Sequence, residues 1–578
     1  MSAQIVKDRN TDALTEAASW PGADRATLVT LATVLAATDA DQEGAEFFGR
    51  LAASQPDQLL PLALAGYFQV RAGQDIAAGI VKLDEAASRD LGLAQYYRGL
   101  ALAGLPTAAG HAEQAIADLE FVLAVREQFP SNMIRAVYHG LSAAYAAAGK
   151  AEMAAKAAEA SGLSSAPPQT RLQFSGGWMS SAEGFHMAAP RITEVSPGVQ
   201  VAQAYDFGDF AFVRTDAGVV AIDAGTAPHR VRAALADAGI DADDISHVIL
   251  THAHFDHAGG ISALIGSGTK VIAQAGFPAE LQRQHRNVFP FRYFTGEGAG
   301  FGSHADGRPA EIRVDQLVSE RTPVTIGGTE FVLYPATGGE TGDALMAYLP
   351  ATGVLFTGDV MMPYLGAPFF AEGSPAGLLD TLALIARIGP RQLVHGHTAL
   401  TELFTAGTVP GLLVALTEVR DESLARIRRE QALTEVLDAN LLPETLRQHP
   451  EAVVPFLVIR EHFVQRLYQQ HTGYWQPDGS GLEPVSAAQR AAALNLLADG
   501  RPERFADAAR ALLAQRDAAL ALEIATAGLT SHPQDADLTM LRRQALYRLM
   551  ERHQLQDPFR FLIYSELAGV EIGPVAAA

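Results

Sequence analysis

Thr251-His252-Ala253-His254-Phe255-Asp256-His257-Ala258-Gly259-Gly260 places three imidazoles and one carboxylate within six residues, a donor density suited to metal ions. The apolar run His247-Val248-Ile249-Leu250 ahead of it reads as a buried strand, and the glycines behind it can open a helix. The cluster is therefore expected on a strand-to-helix turn that projects side chains into a cleft. His252 and His254 lie two apart on extended chain, point the same way and can share one ion, whereas Asp256 and His257 lie around the bend and suit a second. A lone histidine would more simply be a half-buried packing residue.

Composition narrows the chemistry. The chain has 578 residues, too many for one core, and 48% hydrophobic content, ample for several. A formal charge of −22 argues against nucleic acid or an anionic membrane surface as partner, since neither is drawn to such a field. With no cysteine, any metal must be held by nitrogen and oxygen, and a reducing compartment fits. Residues 1–20 lack the basic start and apolar run of a signal peptide, and the alanine-leucine-valine stretch near 26–37 is too short to span a bilayer, so the expected location is the cytoplasm.

Outside the cluster, three segments are expected. Residues 1–165 are alanine-rich and helical. Leu64-Ala65-Gly66-Tyr67, Tyr97-Arg98-Gly99-Leu100 and Tyr138-His139-Gly140-Leu141 repeat a small residue near an aromatic, which resembles tetratricopeptide repeats and implies a docking surface for a protein partner or another subunit, a plain helical bundle being the alternative. Ser164-Ser165-Ala166-Pro167-Pro168 is a linker, because adjacent prolines cannot continue a helix. Residues 166–482 alternate short apolar strands with helices, and residues 483–578 are helical again.

The apolar strand Val219-Val220-Ala221-Ile222-Asp223-Ala224-Gly225, followed one strand later by the His-x-His-x-Asp-His pattern at 252–257, resembles the metallo-β-lactamase superfamily. That resemblance implies an α/β fold, a four-layer αββα sandwich, here flanked by all-α segments. Further donors follow apolar runs downstream: Asp359 after Val354-Leu355-Phe356-Thr357-Gly358, and His397 after Leu393-Val394, with His395 as the alternative. Where many members carry Pro-x-His-Thr, this chain reads Pro335-Ala336-Thr337-Gly338-Gly339-Glu340. A glutamate in that slot, with an acid nineteen residues on, resembles the alkylsulfatase branch, hydrolases of alkyl sulfates. The likeness extends to Ala204-Tyr205-Asp206-Phe207-Gly208-Asp209-Phe210, to Phe463-Val464-Gln465-Arg466-Leu467-Tyr468 with Gly473-Tyr474-Trp475, and to a terminal hairpin at 518–565 similar to that branch's dimerisation domain.

Carried over by residue, the resemblance implies two zinc ions: His252, His254 and Glu340 on one, Asp256, His257 and His397 on the other, and Asp359 bridging. Asp256 and Asp359 are then the ligands closest to catalysis, and the nucleophile is a metal-bound hydroxide. Two divalent ions against three carboxylates leave about +1, enough to bring the ionisation of water toward neutrality.

Two departures bear on substrate. The branch's bridging residue is glutamate where Asp359 stands, and its sulfate-contacting arginine is missing from the apolar run that begins Met361-Met362-Pro363-Tyr364-Leu365. Arg292 and Tyr293, ahead of the glycine-rich stretch 295–302, are the candidate contacts for an anionic substrate. The expected activity is hydrolysis of a sulfate ester of a small or medium apolar alcohol by a homodimer. Hydrolysis of a carboxylic ester or lactone on the same site is the second reading, and a repeat scaffold with a relic metal site is the non-enzymatic one.

Overall fold

The structure is a computed structural model that describes residues 9–90, 92–106, 110–163, 177–284, 291–296, 312–336, 338–366, 372–473, 479, 481–554 and 557–575. The linker at 164–168, residues 297–302 of the glycine-rich stretch, residues 367–371 of the apolar run, and Tyr474-Trp475 lie outside them. Two compact units emerge: Met1–Ser175 with His471–Ala576, and Gly176–Gln470. No described helix is long and apolar enough to cross a membrane.

The first unit draws on both helical segments. Successive helices pair, as in Asp41–Ser54 with Leu59–Arg71, Leu93–Ala103 with Ala112–Ala124, and Ser131–Ala147 with Ala151–Ala160. The three glycines of the periodic stretches stand where backbones or side chains come close. A methyl group would sit 2.7 Å from the Gly79 carbonyl at Gly66, 2.7 Å from Leu119 at Gly99 and 2.8 Å from Leu100 at Gly140. The small-residue period is thus a helix-crossing requirement. In the C-terminal segment, helices Pro502–Ala514, Ala518–Ser531 and Ala536–His553 close over Phe505, Ala525, Leu538 and Leu541.

The second unit carries two large sheets. Arg191–Ser196, Val199–Gln203, Phe210–Thr215, Gly218–Ile222, Ile245–Ile249, Lys270–Gln274 and Gln316–Val318 lie side by side in chain order, antiparallel through Gly218–Ile222 and parallel after it. Thr322–Ile326, Thr329–Pro335, Leu345–Leu349 and Val354–Gly358 form an antiparallel meander, and Gln392–His395 adds a parallel strand. The facing sides share one core, in which Val201, Val213, Ile222 and Ile249 of the first sheet meet Phe331, Leu333, Ala347 and Phe356 of the second. Behind the first sheet, helix Pro228–Asp237 buries Val231, Ala234 and Leu235 against Phe212, Ala221 and Val248. Helix Pro375–Ile388 is the crossover that a parallel pair requires, and it buries Leu378, Leu382 and Ile385. The result is the expected αββα sandwich.

The unit shows the expected alternation of short apolar strands with helices, but not every strand is apolar. Arg191–Ser196 and Thr322–Ile326 are sheet edges whose side chains are largely exposed or half-buried, so they need no apolar alternation. The glycines after the histidine cluster also differ from expectation. Helix Phe255–Ala258 already contains Asp256 and His257, and Gly259 and Gly260 follow it, where a Cβ would collide with the carbonyls of Thr226 and Ala224.

One buried cation joins distant parts of the first unit. Arg135, 0% exposed, donates to the carbonyl of Ser161 and, at 3.2 Å, to that of Gly573, 438 residues along the chain. Arg135→Leu keeps apolar bulk but strands both carbonyls, at about 1–3 kcal/mol each. Thermal unfolding should show an earlier transition; a variant that melts with the wild type would mean that these carbonyls find other donors.

Candidate metal centre

Strand ends assemble the centre. Ile245–Ile249 delivers Thr251 and the cluster from His252 to His257, Val354–Gly358 delivers Asp359, Gln392–His395 delivers His397, and the turn between Thr329–Pro335 and Leu345–Leu349 delivers Glu340. Backbone bonds tie these ends together across the two sheets: Leu345 N–H donates to the Thr251 carbonyl at 2.7 Å, Gly396 N–H to that of Gly358 at 3.0 Å, and Asp209 N–H to that of Gly396 at 2.6 Å.

All seven sequence-derived donors are brought together. His252, His254 and Glu340 form one group, Asp256, His257, Asp359 and His397 a second, with the donor atoms of each group within 4.8 Å of one another. None of the seven is more than 7% exposed. In the first group His252 Nε2 lies 3.1 Å from Glu340 Oε2 and His254 Nδ1 lies 3.4 Å from Oε1. In the second, Asp359 Oδ2 lies 2.8 Å from His397 Nε2 and 3.3 Å from His257 Nε2. Among the described residues, His252 Nε2, His257 Nε2, Glu340 Oε2 and Asp359 Oδ1 are buried without a hydrogen-bond partner. Such atoms are costly unless something else satisfies them, and inward-facing nitrogens and carboxylate oxygens are what divalent ions take. The donor set fits two metal ions.

Outer partners fix which nitrogen each ring presents. Asp223 accepts from the Thr251 hydroxyl at 2.7 Å, and that hydroxyl lies 3.0 Å from His252 Nδ1. The same Asp223 oxygen lies 3.0 Å from His257 Nδ1. One carboxylate therefore orients a histidine in each group, and it does so at φ +63°, a left-handed conformation that costs a non-glycine residue energy. His397 Nδ1 lies 2.9 Å from the Phe207 carbonyl. His395, the alternative ligand, is excluded: its Nδ1 lies 2.7 Å from the Thr357 hydroxyl and its Nε2 lies 2.9 Å from the Phe404 carbonyl, which leaves neither nitrogen for an ion.

Charge balance points the same way. Burial lowers His252 well below the ordinary imidazole value, aided by His257 and His254. Burial opposes charge on His254 too, but Glu340 and Glu372 overcome it and hold that ring well above the usual value. Burial, then Asp359, pushes the Glu340 carboxyl up to about 8. At Asp359 burial is overridden by His397 and His257, which hold it well below the carboxylate range, and Asp359 in turn lifts His397 to about 9. The protons that this environment keeps on His254, His397 and Glu340 are ones a cation can displace on binding.

Arg292 is exposed and Tyr293 is 6% exposed, both on the short helix Arg292–Thr295; neither belongs to a donor group. Met361, Met362, Tyr364 and Leu365 of the apolar run are buried. Sequence reasoning assigned no role to Asp223, Thr251, Asp343 or Glu372. Asp223 had a signal, an acid closing an apolar strand. Asp343 had none: it is 1% exposed, and burial, opposed by the Thr341 hydroxyl and reinforced by Glu280, pushes it up to about 7.

The metallo-beta-lactamase superfamily model matches residues 206–397, which contain all seven donors. A hydroxyacylglutathione hydrolase from Rhodobacter capsulatus is 29% identical over 171 residues, 29% of this chain and 54% of its own length, so the chain spans about half of that relative. The stereoselective inverting sec-alkylsulfatase Pisa1 from Pseudomonas sp. has a similar fold, with a TM-score of 0.53 at 18% identity over 66% of this chain and 66% of that one. A double mutant of the same enzyme gives 0.54.

Gly396 offers a test of the packing between donors. A Cβ there would collide with Asp359 Oδ1 and His257 Cε1. Gly396→Ala should therefore lower the metal content of the second group while the far-ultraviolet circular dichroism stays that of the wild type. Unchanged metal content by mass spectrometry would mean that the group tolerates a methyl at its centre.

Proposed function

From the metallo-beta-lactamase superfamily domain at residues 206–397, we propose that this protein is a dinuclear zinc hydrolase that cleaves a sulfate ester of a small or medium apolar alcohol. The observation that carries the reading is the group His252, His254 and Glu340, a glutamate in a slot where many relatives of this fold present histidine. It agrees with the alkylsulfatase likeness of the fold. Glu340, His252 and His254 would hold one ion and Asp256, His257 and His397 the other. Asp359 is the proposed bridge: Oδ2 faces the second group, Oδ1 is unpartnered, and its charge acts on Glu340 and His252 of the first. When bound, the ions supply Lewis acidity and bring the ionisation of water toward neutral pH. Asp223 and Thr251 hold the rings of His252 and His257 in register, and Arg292 and Tyr293 are the proposed substrate contacts.

A second reading, hydrolysis of a carboxylic ester, thioester or lactone, is favoured by the hydroxyacylglutathione hydrolase relative. A relic site is disfavoured because every expected position carries a competent buried donor. Incubation of zinc-loaded protein with sulfate, phosphate and carboxylic esters separates the two activities by which acid is released. Asp359→Ala should reduce turnover by more than the roughly 10–100-fold that losing an outer partner costs. Full turnover after the metal has been stripped would end both enzymatic readings.

A homodimer through the C-terminal helices is part of the proposal, as is a protein partner at the N-terminal helix pairs. Helix Ala487–Leu497 buries only Ala491, while Leu496 and Leu497 are 79% and 76% exposed. Such a face suits a second copy of the chain. Light scattering at micromolar concentration should give a dimer for the wild type and a monomer when Leu496→Glu and Leu497→Glu are combined; a monomeric wild type would refute the assignment.

A further inference from the structure

His254 is held from both sides. Its Nδ1 faces Glu340, and its Nε2 lies 3.1 Å from Oε1 of Glu372, a carboxylate 118 residues downstream whose side chain is 0% exposed. The same oxygen accepts from Arg283 Nη2 at 2.6 Å and from Gln284 Nε2 at 2.6 Å. Room for Glu372 is made by Gly366, at φ +109°, where a Cβ would stand 2.7 Å from the Glu372 Cβ. Asp223 serves His252 and His257 but makes no hydrogen bond to His254 among the described contacts.

We propose that Glu372 is the positioning residue of His254. By accepting the Nε2 proton it fixes the tautomer that leaves Nδ1 bare and aimed at Glu340, and so sets the metal affinity of the first group independently of the second. This rests on the dinuclear reading above. The competing role is a clamp for helix Phe277–Gln284. Against it, the Arg283 guanidinium already has a carboxylate in Glu280, whose oxygens lie 2.9 and 3.1 Å from Nε, so its charge does not require Glu372. His254, by contrast, has Glu372 as the acceptor recorded at Nε2. A carboxylate is a stronger acceptor than a neutral amide, and it raises the donor strength of the ring nitrogen on the opposite side.

The test uses full-length protein equilibrated at a series of free zinc concentrations set by a chelator, with bound zinc counted by mass spectrometry and fold followed by circular dichroism. Wild type should hold two equivalents. Glu372→Gln keeps the size but removes the charge and turns an amide against the Arg283 and Gln284 donors. It should lose one equivalent at free zinc roughly 10–100-fold higher than wild type does, with the other equivalent unmoved. Arg283→Met combined with Gln284→Ala removes these two donors while leaving the Glu372 carboxylate against His254, and should keep both equivalents at wild-type affinity. If Glu372→Gln fails to fold, that double variant decides by itself, since a loss of one equivalent from it would overturn the positioning role in favour of the clamp. Wild type with two equivalents and Glu372→Gln with the same two at unchanged affinity overturns this inference alone. Wild type that never holds two overturns the dinuclear reading and this inference with it.

Discussion

Three carboxylates and four imidazoles are buried within a few ångström of one another, and the rest of the catalytic unit is arranged around that fact. An isolated buried carboxylate is costly, and like charges at this separation cannot all ionise without compensation. The donors show the strain in opposite directions, with Glu340 pushed up to about 8 and Asp359 held well below its ordinary range. Protons satisfy such a cluster poorly, since they leave four inward-facing atoms without partners. Divalent ions would satisfy it better, because each replaces several protons at once and takes lone pairs gathered around a common centre.

Holding seven donors to that tolerance requires backbone, not only side chains. Both sheets contribute strand ends to the same edge of the sandwich, and hydrogen bonds such as that from Leu345 to Thr251 lock one sheet's turn to the other's. Close approach is possible only where side chains are missing. Gly396 sits between Asp359 and His257, and Gly358, at φ +54°, would place a Cβ 2.6 Å from the Thr251 hydroxyl. The left-handed backbone at Asp223 is a cost accepted for the same purpose, since from there one carboxylate reaches Thr251 and His257 together.

The parts of this arrangement that were legible in the sequence are those in which one local signal carries the meaning. His252, His254, Asp256 and His257 lie in six residues, and Asp359 and His397 each follow an apolar strand, so period and spacing reveal them. Glu340 was legible only through likeness to a family, because nothing in its own surroundings marks it as a ligand. Spacing alone does not separate His397 from His395, since both follow the same strand; the family likeness favours His397, and the physical reason is that Thr357 and Phe404 capture both nitrogens of His395. Glu372 was invisible, since its partners are 118 and 89 residues away and its own segment has no period. Edge strands such as Arg191–Ser196 carry no such signal for a related reason: every side chain there is exposed or half-buried, so no apolar alternation marks the strand.

The glutamate at 340 has a consequence for charge that bears on the proposed substrate class. With histidine in its place, two divalent ions would face two carboxylates, a net of about +2, whereas Glu340 brings the site to about +1. A sulfate monoester carries one negative charge and the inorganic sulfate it releases carries two. A pocket at about +2 would hold that dianion by close Coulomb contact in a poorly screened interior, and release would slow. Reducing the charge by one unit keeps enough attraction to capture a monoanion while weakening the grip on the product. In the proposed reading Glu340 therefore acts on the balance between capture and release as well as on the number of ligands, and Glu372, by polarising His254 beside it, works on the same group from outside.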